Sequence, residues 1–228
     1  MRIAVLGTGI VGRSIAGRLG ELGHDVAVGT RDPEATLARE EPDAMGNPPY
    51  AQWQRENAAI DLKPYAQAAT DAELVVNATS GAGSLAALSA AGSDSLAGKV
   101  VLDVANPLDF SAGFPPTLLV ANEDSLAEQI QREFSSARVV KSLNTMNCLV
   151  GVDPARVPGE HSVFLAGDDD DAKGTVKELL NALGWPAGSI IDLGGLRAAR
   201  GLEMYLPLWL SLMQALGTGD FNIKVVRG

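Results

Sequence analysis

The chain is poor in residues that staple, chelate or shuttle protons. Its 228 residues include one cysteine, Cys148, and two histidines, His24 and His161. One thiol cannot close an intramolecular disulfide, and no zinc-ligand cluster can be read from the sequence. A cationic excess is missing too. Lys and Arg total 18 against 28 Asp and Glu, a formal charge of −10 with no basic stripe. A nucleic-acid binder needs cations to displace phosphate counterions, so nucleic acid is not an expected partner. Long apolar runs are also absent: the greasiest segment, Met204 to Met213, reaches about half a membrane span. The apolar stretch Arg2–Leu6 is too short for a secretory signal and stops at Gly7 and Gly9. These absences lead us to expect a cytoplasmic protein without a membrane partner.

What is present suits a folded core: 46% of residues are apolar and 20% charged, ordinary values for a globular chain. Arg2–Leu6 reads as a doubly buried strand. Ile10–Leu22 has helical spacing, closed by Gly23, and Asp25–Gly29 is the next strand. Asp32 caps a helix that Pro33 opens. Residues 41–57, with Pro42, Gly46, Pro48 and Pro49, interrupt the rhythm as an irregular insertion, with a helical turn or two over Tyr50–Asn57. Further strands are expected over Ile60–Leu62, Glu73–Ala78, Lys99–Val104, Arg138–Lys141, Ser162–Ala166 and Gly188–Ile191. Helices are expected over Pro64–Ala69, Ser84–Ala91, Ser125–Phe134, Asp169–Leu183 and Gly195–Leu216. The tail Phe221–Val226 is an edge strand or simply extended. This alternation implies a parallel sheet with helices on both faces.

Gly7-Thr8-Gly9-Ile10-Val11-Gly12 supplies the G-x-G-x-x-G pattern between a strand and a helix. Gly7 permits the tight turn, Gly9 lets backbone approach a pyrophosphate, and Gly12 permits close helix–strand packing. The helix N-terminus offers N–H groups to the phosphates. The expected class is therefore α/β: a Rossmann-type, doubly wound, mostly parallel sheet. Residues 1–150 form its nucleotide-binding part, and 151–228 a small α/β extension on the same sheet that contributes to a second-substrate pocket. After the second strand, NAD binders usually place an acid. Here stand Thr30 and Arg31, a hydroxyl and a permanent cation suited to the 2′-phosphate of NADP. Asp32 is better explained as the helix cap. Thr79, Ser80 and Asn106 follow the fourth and fifth strands, where loops line the ligand crevice; each is either a nucleotide contact or an ordinary polar turn.

No proton-transfer machinery is evident. Both histidines read as surface or turn residues, and no nucleophile elbow or Ser/His/Asp set occurs. Hydride transfer between two bound cofactors, driven by positioning, is what the residues permit.

Several stretches carry a resemblance beyond the glycine turn. They are Met1 to Gly12, Leu22 to Arg31, Val140-Lys141-Ser142-Leu143-Asn144-Thr145, Ala166-Gly167-Asp168-Asp169-Asp170, Ile191 to Leu196 and Arg200-Gly201-Leu202-Glu203. Through them the chain resembles, over almost its whole length, the F420-dependent NADP oxidoreductase family. That resemblance implies hydride exchange between NADP(H) and the deazaflavin coenzyme F420. It implies Thr8, Ile10 and Val11 at the pyrophosphate and Thr30 and Arg31 at the 2′-phosphate. Asn144, Thr145 and Met146 would stand beside the reacting rings, with no catalytic side chain assigned. Leu206 and Leu210 would border the deazaflavin pocket, although core packing or a homodimer face suits them as well. The acidic run 168–171 fits a helix N-terminus, and no metal is called for. Family members can carry a histidine where this chain reads Leu143-Asn144-Thr145. Two other readings stay open: an NADPH-dependent reductase of a flavin or small carbonyl, and a non-catalytic NADP sensor.

Overall fold

In the computed structural model, residues 1–43 and 46–228 are described; positions 44 and 45 of the expected insertion lie outside them. Among the described residues there are ten strands: β1 (Arg2–Leu6), β2 (Asp25–Thr30), β3 (Asp61–Pro64), β4 (Leu74–Asn77), β5 (Val100–Asp103), β6 (Leu108–Asp109), β7 (Thr117–Leu118), β8 (Arg138–Ser142), β9 (Val163–Gly167) and β10 (Ile190–Asp192). Eight form one sheet in the order β10-β9-β8-β5-β4-β1-β2-β3, and β6 and β7 make a separate two-stranded ribbon. Within the eight-stranded sheet all neighbours run parallel except β8 and β9. The expected doubly wound, mostly parallel sheet is the observed one. The chain winds outward in both directions from β1, so the order reverses between β1 and β4. Ligands of open α/β sheets lie beyond the strand carboxyl ends at such a point.

The central strands are apolar without alternation because both faces are covered. Ile3 and Val5 join one apolar cluster with Ile15, Leu19, Leu102 and Trp185; Ala4 and Leu6 join another with Leu88, Ile130 and Leu196. The helix Ile10–Glu21 buries Ile15, Ala16 and Leu19. Asp32 caps Pro33–Leu37 as expected, its carboxylate accepting from the Ala35 amide at 3.0 Å. Asp169 does the same for Asp170–Ala182 through the Ala172 amide.

Two expectations change, several short elements come to light, and the tail takes one of its two expected forms. The single helix over Gly195–Leu216 is a short 3-10 turn (Leu196–Ala198) and two helices, Ala199–Met204 and Leu206–Leu216. Pro207 has no N–H to donate and sits in the first turn of the second. The ribbon β6–β7 and the helices Ser93–Leu96 and Cys148–Val152 were not legible, being too short for a period to show. The tail is not a strand; one backbone bond ties it, from the Ser162 amide to the Ile223 carbonyl. Finally, His161 is buried rather than a surface residue. Its Nε2 lies 3.0 Å from the Pro154 carbonyl, its Nδ1 lies 2.9 Å from Asn222 Nδ2, and the ring packs edge-on to Trp185.

Close packing around the first turn fixes its glycines. A Cβ on Gly12 would lie 2.1 Å from the Gly7 carbonyl oxygen, a backbone atom that cannot swing away. Gly12→Ala is expected to cost about 1–3 kcal/mol by overpacking, read as a lowered midpoint in thermal unfolding. An unchanged midpoint would show that the helix is not seated this tightly.

Candidate functional site

The crevice is built from the turn upward. Gly7 has φ +122°, and a Cβ there would meet the Ala78 carbonyl oxygen at 2.4 Å. The turn after β1 is thus pressed against the end of β4. Gly9 differs: its missing Cβ would meet nothing within 4 Å. Backbone at Gly9 is open to close approach by a ligand, as the pattern requires. Gly9 also begins the helix, with no side-chain cap and no acid in the first turn. The first amides are left for an anion. Thr8 is half-buried, and Ile10 is 40% exposed on the crevice rim, unusual for its size.

One buried cation beside the turn is not foreseen from the sequence. Arg13 is 6% exposed and forms no ion pair among the described residues. Its Nε donates to the Thr8 carbonyl at 2.9 Å and its Nη1 to the Pro48 carbonyl at 2.6 Å. A buried guanidinium thereby ties the proline-rich insertion to the nucleotide turn. Position 13 follows the pattern directly, but a cation on a helix normally reads as solvated, so burial was not foreseeable.

At the end of β2 the two predicted residues separate. Thr30 is buried, its hydroxyl 2.9 Å from that of Thr36, which itself donates to the Asp32 carbonyl. Arg31 is exposed, without an ion pair or hydrogen bond to another described residue. It stands near Tyr65, whose hydroxyl pKa burial pushes up and the Arg31 charge pulls partly back. Asp32 is engaged in its cap. A cation without a partner among the described residues thus stands at the strand end where a 2′-phosphate would sit.

Beneath the crevice, one register row crosses the sheet. Gly29, Leu6, Asn77, Asp103 and Lys141 are successive partners on β2, β1, β4, β5 and β8. Asn77 donates to Asp103 Oδ1 at 2.8 Å and accepts from the Thr79 hydroxyl at 2.7 Å. Lys141 Nζ reaches Asp103 Oδ2 at 2.8 Å, Glu203 Oε1 at 2.9 Å and the Ala105 carbonyl, and all three charged groups are buried. Burial alone would depress the Lys141 pKa; the two carboxylates more than offset it, and the value lies above normal. Glu203 is held above the usual carboxylate range by burial, aided by Asp103 and opposed by Lys141. Glu203 also accepts from the amides of Leu126 and Ala127 at 2.8 and 3.2 Å.

The network shapes the loops above it. Asn106 and Asn144 exchange bonds: Asn106 Nδ2 donates to the Asn144 carbonyl at 2.8 Å, and Asn144 Nδ2 to Asn106 Oδ1 at 2.9 Å. A Cβ on Gly81 would collide with the Asn106 carbonyl at 2.2 Å, so the loops after β4 and β5 are in contact. Ser80 is exposed, whereas Thr79 turns toward Asn77 and Ser84. Asn144, Thr145 and Met146 are buried, following Leu143 at φ +60°. Leu206 and Leu210 are buried in the fold. No predicted residue lines the surface cleft formed by residues 154–162, Trp185 and the 224–227 tail.

A doubly wound sheet with an open glycine turn at its switch point has the form of a dinucleotide-dependent oxidoreductase of Rossmann type. The sequence profile of the family described as NADP oxidoreductase, coenzyme F420-dependent, matches residues 2–107. A solved structure from Arthrobacter sp. FB24, assigned provisionally as an F420-dependent NADP reductase, is 56% identical, with each chain fully covered and a TM-score of 0.95. The F420-dependent NADP reductase of Methanothermobacter marburgensis is 28% identical over 93% of this chain and 92% of its own length. Rat metalloreductase STEAP3 is 29% identical over 95% of this chain, which spans 39% of that protein. The chain belongs to the F420-dependent NADP oxidoreductase family and is an NADP-dependent oxidoreductase.

Two outcomes follow from the buried charges. Lys141→Met leaves two buried carboxylates without their cation and is expected to cost about 3–5 kcal/mol, measured as a fall in the urea midpoint. The raised Lys141 pKa stabilises the fold fully below the unfolded lysine value of about 10.4 and is lost as pH rises through the folded value. Between those two values the wild-type midpoint should therefore drop more steeply with pH than that of Lys141→Met. Parallel curves would show that Lys141 does not carry this charge in the fold.

Proposed function

We propose that this chain passes a hydride between NADP(H) and the deazaflavin coenzyme F420. The observation that carries the reading is the extent of likeness to the Methanothermobacter F420-dependent NADP reductase. It runs over 92% of that protein, beyond the glycine turn and into the part that would hold a second ring. The residues present fit the dinucleotide. Gly9 leaves the backbone open, the uncapped helix start offers amides to the pyrophosphate beside Thr8, Ile10 and Val11, and Arg31 offers an unpaired cation to the 2′-phosphate. In this reading Gly7 and Gly12 hold the turn, and Thr30 supports Arg31 from within. Thr79, Ser80 and Asn106 line the ribose side, and Asn144, Thr145 and Met146 flank the rings.

NADPH, when bound, supplies the hydride; with one proton from solvent, the oxidised deazaflavin becomes its dihydro form and NADP+ remains. The chain's own part is to align two rings and exclude water, which suits a site without an acid–base pair. Residues 151–228 complete the sheet with β9 and β10 and supply Leu206 and Leu210 behind the pocket. The reading includes a cytoplasmic homodimer, with exposed Leu208 and Leu216 as its apolar face. A second reading, reduction of a flavin or other acceptor by NADPH, is favoured by the likeness to a metalloreductase and by the stretch Leu143-Asn144-Thr145, where family members can carry a histidine.

Two measurements check the proposal. Purified protein with NADPH and oxidised F420 should bleach the deazaflavin band, and faster than it reduces FMN or riboflavin at equal concentration. No bleaching, with turnover on another acceptor, supports the second reading instead. Arg31→Ala should weaken NADPH binding by roughly 10- to 100-fold, the loss of one charge-assisted contact, and leave NADH unchanged. Equal affinities for NADPH before and after the change would remove Arg31 from the phosphate site.

A further inference from the structure

Asn144 has a feature that its neighbours do not explain. The side chain is 3% exposed and locked in orientation. Its Nδ2 donates to Asn106 Oδ1 at 2.9 Å and to the Leu202 carbonyl at 3.1 Å. Both acceptors lack hydrogens to give, so the amide cannot be turned end for end. That leaves Oδ1 as the free end, and it is a buried acceptor with no partner. A buried carboxamide oxygen without a donor is costly, and native folds rarely tolerate one. The backbone that presents it is strained as well. Leu143, a branched residue with a Cβ, adopts the left-handed conformation immediately before it. The Asp103–Lys141–Glu203 cluster grips the Ala105 carbonyl one residue before Asn106, so the clamp on Asn144 is itself held by buried charge.

We infer that Asn144 Oδ1 is a ligand acceptor, completed by an amide or imide N–H of the ring bound at the carboxyl end of β8. The inference rests on the proposed placement of the reacting rings beside residues 144–146. The ligand chemistry has two sources. The nicotinamide carboxamide bears N–H donors at the ring edge, and so does the pyrimidine ring of a deazaflavin. The carboxamide itself is fixed on two sides and need not rotate; the ligand has only to displace the cover over Oδ1, so the acceptor selects ring orientation as well as affinity. A histidine in this place would present a ring nitrogen instead of a fixed carboxamide oxygen. This residue therefore sets ring specificity rather than moving a proton.

The experiment compares each ring with a twin that lacks the donor, on the intact protein. In one arm, NADP+ is set against its 3-acetylpyridine analogue, in which a methyl replaces the amide nitrogen. In the other, 5-deazariboflavin is set against its N3-methyl derivative. Wild type should prefer the N–H-bearing member of one pair by about three- to tenfold in Kd, and that pair identifies the source. Asn144→Ala should abolish the preference while 2′-phospho-ADP-ribose, which has no nicotinamide, binds unchanged. Equal binding within both pairs by wild type, or a preference that survives in Asn144→Ala, overturns the inference. The wild-type comparison holds even where the variant folds poorly. Absence of NADP+ binding by wild type would overturn the proposed function and this inference together, whereas binding without discrimination overturns only the latter.

Discussion

The structure turns on an ammonium group buried between two carboxylates. Lys141 on β8 faces Asp103 on β5 directly across the register and meets Glu203 from the helix Ala199–Met204. Three segments distant in sequence must converge before any of these charges is tolerated in the core. The same contact reaches further through hydrogen bonds. Glu203 receives the first amides of the helix Leu126–Glu133, Asp103 holds Asn77, and Asn77 holds Thr79. Polar order at the carboxyl end of the sheet is therefore continuous from β4 to the last helices.

Above this buried row, the crevice is an exercise in close approach. The loops after β1, β4 and β5 meet backbone to backbone, at Gly7 against Ala78 and at Gly81 against Asn106. Gly9 alone among the three turn glycines of the pattern faces open space. Two glycines thus serve packing inside the protein and one leaves backbone open, a division that the bare pattern cannot reveal. Arg13 adds cationic character beneath the turn while holding the insertion in place.

Much of the frame was legible because its signals are local. Doubly buried strands appear as apolar runs, Asp32-Pro33 announces a capped helix, and three glycines at fixed spacing announce the turn. What was hidden depends on partners remote in sequence. Thr30 turns inward because Thr36 accepts its hydroxyl, and the predicted cation Arg31 is left exposed, with no ion pair to another described residue. His161 is buried by Trp185 and Asn222, neither of which a reading of its neighbours would bring close. A lysine inside the apolar stretch Val139-Val140-Lys141 did carry a warning. A charge on a central strand demands a counter-charge, and Asp103 ends the adjoining strand.

The antiparallel strand β9 has a consequence for dissecting the protein. It covers the open edge of β8, and Glu203 reaches back from beyond it to the lysine that β8 carries. A fragment ending near residue 150 would expose β8 as an unprotected sheet margin and strip the Leu126 and Ala127 amides of their acceptor. Residues 1–150 are accordingly not a portable module. Grafting it onto another catalytic unit would require carrying the later strands along, or redesigning the lysine out of the interior.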